Sequence, residues 1–184
     1  MRAEAARSLN RRHLLRGVVA LAGAAAGGPA LATLVEVRRL ALVSTHTGEE
    51  LELDYFQAGN YQPAALAALN HLLRDHRTGD VALIDLRLFD LLHALAVGAG
   101  CVARYAVISG YRSPATNALL HARSSGVAQH SLHMDGLALD VRLAGCATSR
   151  LSGLALGLRA GGVGYYRGSD FVHLDLGRVR SWNG

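Results

Sequence analysis

Ser131-Leu132-His133-Met134-Asp135-Gly136-Leu137-Ala138-Leu139-Asp140-Val141-Arg142-Leu143 changes its pattern halfway along. The first half continues a segment, 123–136, rich in Ser, Gly, Gln and His, and reads as a loop. The second half, Leu137 to Leu143, puts Leu137, Leu139, Val141 and Leu143 on one side and Asp140 and Arg142 on the other, as a half-buried strand does. Asp140 therefore stands inside an apolar strand. A carboxylate in that setting is costly unless it is paired or faces a cation. His133 precedes it by seven positions, and Gly136 between them is free to turn the chain. Zinc accepts histidine nitrogen and carboxylate oxygen in a tetrahedral set, and a catalytic zinc site uses three protein ligands and leaves the fourth position to water.

The third ligand is sought downstream. A helix is expected from Ser149 to Arg159, then two short strands, Gly162 to Tyr166 and Phe171 to Leu174, around a turn at Arg167 to Ser169. His173 lies in the last of these strands and is the best candidate. His130 is an alternative ligand, better read as lining the cleft or orienting a neighbour. His46, His71, His76, His93 and His121 have no carboxylate at ligand spacing and read as surface residues.

Upstream, Arg39 to Ser44 and Glu50 to Phe56 read as strands joined at Thr45 to Glu49. Pro63 opens a helix expected to reach His76. A second helix runs from Leu86 to Val97 and is stopped by Gly98 and Gly100. Arg104 to Ser109 is a strand. Ser113-Pro114 starts a helix that ends near Ala122. Strands, helices and then both again predict an α+β single domain with a central antiparallel sheet and flanking helices.

Residues 1–32 carry a different composition. Arg2, Arg7, Arg11, Arg12 and Arg16 precede a mildly apolar run, Gly17 to Ala26. Gly27, Gly28 and Pro29 break that run, and Ala30-Leu31-Ala32 has the small-x-small form of a signal-peptidase site. Asn10-Arg11-Arg12-His13-Leu14-Leu15-Arg16 resembles a twin-arginine export signal. The run is shorter than the ~20 apolar residues of a membrane span, so no stable span is expected after signal removal. The expected division is 1–32, twin-arginine-type signal, and 33–184, a single folded domain, with a periplasmic or extracellular location. The formal charge of the chain is +5, and the five arginines against Glu4 place +4 of it in the leader, leaving about +1. No basic run remains for nucleic acid, and that partner class is excluded. Cys101 and Cys146 have no metal-site spacing; whether they pair stays open.

Three groups of residues carry a family resemblance. They are Ser109-Gly110-Tyr111-Arg112-Ser113, then Ser131-x-His133-x-x-Gly136-x-Ala138-x-Asp140, and then Gly161-Gly162-Val163-Gly164-Tyr165-Tyr166 with Phe171-Val172-His173-Leu174-Asp175-x-Gly177-Arg178-Val179-Arg180-Ser181-Trp182. Together they resemble the YcbK-like murein endopeptidases. These belong to the zinc peptidases (LAS group) that include the VanY and VanX D-Ala-D-Ala peptidases and the hedgehog-type domain. The resemblance implies that fold and a Zn2+ ion on His133, Asp140 and His173. It also implies Arg112 in the cleft and hydrolysis of peptide cross-links in peptidoglycan stem peptides. Relatives place a Glu three residues before the last ligand, or a His two before it. Here those positions are Asp170 and Phe171, so Asp170 is the expected base, with Asp175 and His130 as rivals. Tyr111, Tyr165 and Tyr166 are expected along the groove. A D-Ala-D-Ala carboxypeptidase and a non-catalytic zinc-containing peptidoglycan-binding module are the alternative functions.

Overall fold

Two long strands open the computed structural model, which describes residues 36–124 and 127–184. The leader assigned to 1–32 lies outside the described residues. Strand β1 (Val37–Ser44) pairs antiparallel with β2 (Glu50–Gln57), and β3 (Asn60–Tyr61) adds a two-residue edge. Helix α1 (Pro63–Leu72) begins at a proline, whose missing N–H costs nothing in a first turn. It stops short of the expected His76, because the Leu73 carbonyl accepts the Tyr111 N–H at 2.7 Å instead of continuing the helix. Helix α2 (Leu86–Ala99) is capped by Asp85 and ended by Gly100 at φ 65°. Strand β4 (Arg104–Ser109) follows, and then α3 (Pro114–Arg123), whose cap is the Ser113 side chain. A short 3-10 turn (Leu132–Asp135) lies within the segment read as loop. Strand β5 (Ala138–Leu143), helix α4 (Thr148–Leu158), and strands β6 (Gly162–Tyr166), β7 (Phe171–Asp175) and β8 (Arg180–Asn183) complete the order.

The eight strands of the described residues form one sheet in the order β3-β2-β1-β4-β5-β7-β6-β8. The expected α+β architecture is present, and the antiparallel pairing runs through its middle, β4 to β5, β5 to β7 and β7 to β6. Two pairings, β1 with β4 and β6 with β8, are parallel, so the sheet is mixed. Adjacent residues of β5 and β7 point to opposite faces. Leu139, Val141, Val172 and Leu174 are at most 1% exposed and join the core with leucines of α1, α2 and α4. Burying each such side chain stabilises by about 1.5–3 kcal/mol, which fixes the register of this strand pair. The opposite face is left to Asp140 and His173. Among the described residues, no helix is long and apolar enough to cross a membrane.

Candidate metal centre

Asp140 on β5 stands directly across from His173 on β7 in the antiparallel register. Partners so placed hold their Cβ atoms about 4.5–5.5 Å apart on one face. His133 arrives from the 3-10 turn before β5. Gly136 makes that turn possible: its φ is +68°, and a Cβ there would overlap the Leu83 carbonyl. The Gly136 carbonyl in turn accepts the Asp85 N–H at 3.0 Å, tying the turn to the start of α2.

The three side chains converge. His173 Nδ1 lies 2.8 Å from Asp140 Oδ1, His133 Nε2 3.3 Å from Asp140 Oδ2, and the two ring nitrogens 3.3 Å apart. Ligand atoms on a tetrahedral zinc with bonds of about 2.0–2.1 Å are separated by about 3.3 Å; the two separations from His133 match this, and the His173–Asp140 contact is shorter, as a hydrogen bond is. The proton positions fit as well. His133 Nδ1 is 2.8 Å from the Gly110 carbonyl, and His173 Nε2 is 3.1 Å from Asp175 Oδ2. Each contact accepts a ring N–H on the side away from the cluster, which leaves the other nitrogen's lone pair facing inward. Two lone pairs and a carboxylate directed at one point repel unless a cation or a proton joins them. In the protein alone a proton does so. Burial opposes a charge on His173, but Asp140 and Asp175 on either side outweigh it and push its pKa up to about 9. Asp140 is held well below the usual carboxylate range, burial being outweighed by His133 and His173. Among the described residues this is the one group of three or more metal-ligating side chains close enough to share an ion.

The cluster forms the floor of an open cavity of about 440 Å³. Arg112 forms one wall. Its side chain is 12% exposed, and its nearest polar contacts are long: Ser109 Oγ at 3.3 Å, Asn117 Oδ1 at 3.5 Å and Asp140 Oδ2 at 3.7 Å. Burial disfavours its charge and lowers its pKa. A poorly solvated guanidinium with loosely used donors is prepared for an oxyanion or carboxylate. Asn117 also donates to the Ala128 and Gln129 carbonyls at 3.1 and 2.9 Å, holding the segment that brings His130 to the exposed rim.

Asp170 is elsewhere. It occupies the turn before β7 at φ +52°, which aims its carboxylate at Thr148 Oγ1 (2.6 Å) and Arg142 (3.7 Å). It lines a separate shallow cavity with Ala106 and Cys146. The geometry does not bring Asp170, the expected base, to the cavity of the cluster: three residues before His173 is the opposite face of a strand, and the left-handed backbone turns Asp170 out of the strand altogether. Asp175 is also unavailable. Its side chain is fully buried and accepts from His173, the Arg180 guanidinium, Gly162 N–H and Gly177 N–H, which hold it well below the usual carboxylate range. His130 remains at the cavity.

Of the three tyrosines expected along the groove, Tyr166 lines it, while Tyr111 and Tyr165 pack against the core. Trp182 and Phe171 were not foreseen there. Trp182 lies 5.2 Å from the His173 ring and donates to Tyr166 Oη at 3.1 Å, and Phe171 stacks on Tyr166 at 4.5 Å. The signal for Trp182 was its place two residues after Arg180 on a last short strand, too short to read by alternation. Of the five histidines read as surface residues, His76 and His93 are half-buried. His76 stacks on His46 at 3.9 Å.

Comparison with known proteins gives a consistent outcome. Residues 32–182 match the family model described as peptidoglycan L,D-endopeptidase MepK. The protein of that name from Escherichia coli K12 is 46% identical over 176 residues, covering 94% of this chain and 97% of the relative. The same holds for its counterpart from Shigella flexneri. A probable peptidoglycan L,D-endopeptidase MepK from Haemophilus influenzae is 40% identical over 156 residues, 84% of each chain. No solved structure matches.

Proposed function

Because the chain belongs to the peptidoglycan L,D-endopeptidase MepK family, we propose that it is a zinc-dependent peptidase that cuts peptide cross-links of bacterial peptidoglycan. The observation that carries the metal reading is the convergence of His133 Nε2, Asp140 and His173 Nδ1 in a cavity floor, with each histidine's other nitrogen already committed. Bound there, zinc supplies an electrophile for the scissile carbonyl and brings the pKa of water down to about 7.

The chain's own groups supply the rest. Arg112 donates from the wall to the carbonyl oxygen as charge develops on it. His130, at the rim, accepts the proton of the attacking water and passes it to the leaving amine. Asp175 and the Gly110 carbonyl keep the two ring nitrogens aimed inward. Tyr166, Phe171 and Trp182 give the groove an apolar side against which an extended peptide rests. Nothing at the site closes the cluster with a fourth histidine, cysteine or carboxylate among the described residues, which favours a catalytic over a structural metal.

Action on the cell wall requires a location outside the cytoplasm. The leader 1–32, with its twin-arginine core at Arg11-Arg12, is the proposed export signal, and the family match beginning at residue 32 supports a domain that starts where the leader ends. A digest of purified peptidoglycan, read by mass spectrometry of the released muropeptides, tests the function. Cross-linked dimers should become monomers, and a chelator should stop the reaction. Loss of a terminal D-Ala with the dimers intact would show a carboxypeptidase instead. Unchanged peptidoglycan with folded, zinc-loaded protein would show a binding module.

A further inference from the structure

Arg112 sits between elements. β4 ends at Ser109, α3 begins at Pro114, and the residues between them carry the guanidinium to the cavity. The backbone donors of Tyr111, Arg112 and Ser113 are nevertheless each engaged by other parts of the chain. The Tyr111 N–H donates to the Leu73 carbonyl at 2.7 Å and the Arg112 N–H to the His133 carbonyl at 3.1 Å. The Ser113 N–H and Oγ–H both donate to Asp75 Oδ2, at 2.9 and 2.7 Å. Asp75 is 1% exposed. Its second oxygen accepts the Arg77 N–H at 2.9 Å, and its own N–H donates to the Asp80 carbonyl at 3.0 Å, so the carboxylate cannot swing. Gly110 lies so close to the Leu73 carbonyl that a Cβ would overlap it. A carboxylate that deep is costly unless its lone pairs are used, and here they are used on the peptide next to Arg112. Burial disfavours the charge of Arg112; Asp140 is the largest influence opposing it, Arg77 acts with burial, and Asp75 adds a smaller support.

We propose that Asp75 is a positioning residue: its buried carboxylate fixes the Ser113 peptide and thereby holds the Arg112 guanidinium at the cavity wall beside Asp140. The inference rests on the reading of Arg112 as the group that binds the reacting oxygen. The Leu73–Asp75 segment is then the back of the site, although it lines none of the cavity.

The test is a double-mutant cycle on the zinc-loaded protein, with cleavage of cross-linked muropeptides as the readout and metal content and melting temperature as controls. Arg112→Ala is expected to lower kcat/KM by about 100-fold or more. Asp75→Asn is expected to lower kcat by roughly 10–100-fold through misplacement of the guanidinium, with zinc content unchanged. In the Arg112→Ala background Asp75→Asn should change kcat by no more than about 2-fold, because residues acting as a unit are non-additive. Should Asp75→Asn not fold, Ser113→Ala carries the same cycle, since it removes one of the two donors and keeps the backbone one. A full, multiplicative loss from the second substitution in both backgrounds would overturn the inference while leaving the role of Arg112 intact, and so would full activity of the second variant alone. Full activity of Arg112→Ala alone would overturn the reading of Arg112 and this inference with it.

Discussion

His133 and His173 offer different ring nitrogens to the same point, and the reason lies in what each other nitrogen meets. Gly110 gives His133 a carbonyl at Nδ1, and Asp175 gives His173 a carboxylate at Nε2. Removing the charge at Asp175 loosens that aim, so Asp175→Asn should weaken zinc binding by about 10–100-fold, measured by competition with a chromophoric chelator. Unchanged affinity would mean that the Arg180–Asp175 pair is only structural. The proton on His173 makes a second expectation. With its pKa pushed up to about 9, metal-free His173 is protonated at pH 7.5. Zinc should therefore displace on the order of one proton per ion, detected by calorimetry in buffers of different ionisation enthalpy. No buffer dependence would sink the assignment. The convergence of the three side chains was legible in residues alone. An aspartate inside an apolar strand called for a cation, and His133 and His173 were the histidines placed to supply ligands. The commitment of each outer nitrogen was not legible, because Gly110 and Asp175 meet the rings only through tertiary contacts.

Elements explain where the reading of the site departed from the structure. Asp170 stands three residues before His173, an odd offset that strand alternation assigns to the opposite face, and φ +52° at Asp170 turns it out of the strand altogether. The carboxylate then meets Thr148 at the start of α4. Asp170→Ala is expected to leave cleavage within about 3-fold of wild type, while His130→Ala should cost roughly 100-fold or more. Parallel kinetics of the two purified variants check this, and the reverse ranking would return the base to Asp170. Helix α1 ends early for a related reason: Leu73 and Asp75 are taken by Gly110–Ser113, a long-range partner that no local periodicity announces. Gly136 was legible as a turn, yet not as a close approach to Leu83. Both features forbid a side chain, so Gly136→Ala should destabilise the fold by about 1–3 kcal/mol from the left-handed backbone alone, and by more from the overlap. Urea unfolding of the metal-free variant measures it, and an unchanged midpoint would contradict the geometry.

At the scale of the molecule, one sheet does two jobs with its two faces. Its helix-covered face carries the core leucines and valines, and its open face carries the Asp140–His173 pair at the same register. The order of strands places β5 and β7 side by side inside the sheet, so Asp140 and His173 stand on strands paired on both sides, while His133 comes from the turn before β5 and His130 and Trp182 from a rim and an edge. Fold class followed from the alternation of strands and helices, but the parallel joints between β1 and β4 and between β6 and β8 depend on crossovers that composition does not encode. Under the proposed zinc site, metal binding and folding are linked. An ion that binds the native chain a thousandfold above its Kd adds about 4 kcal/mol, and 1 kcal/mol moves the midpoint of a domain this size by about 2–4 °C. Zinc loading should raise Tm by on the order of 10 °C at neutral pH. That gain has a definite pH limit. Asp75, Asp140 and Asp175 are all held below the usual carboxylate range in the native state. Their stabilisation is therefore present above the unfolded value of about 3.9 and is lost as the pH falls through their lower native values. Protonation of His173 begins to oppose the metal higher up, below about pH 9. The zinc-dependent part of Tm should thus shrink first on acidification, while the metal-independent part should fall below about pH 4 as the carboxylates protonate and also as the pH rises from about 6.5 through about 9, where metal-free His173 loses its proton. Melting curves with zinc and with chelator across pH 4–9 separate the two. Curves that stay parallel over the whole range would mean that zinc does not bind through His173.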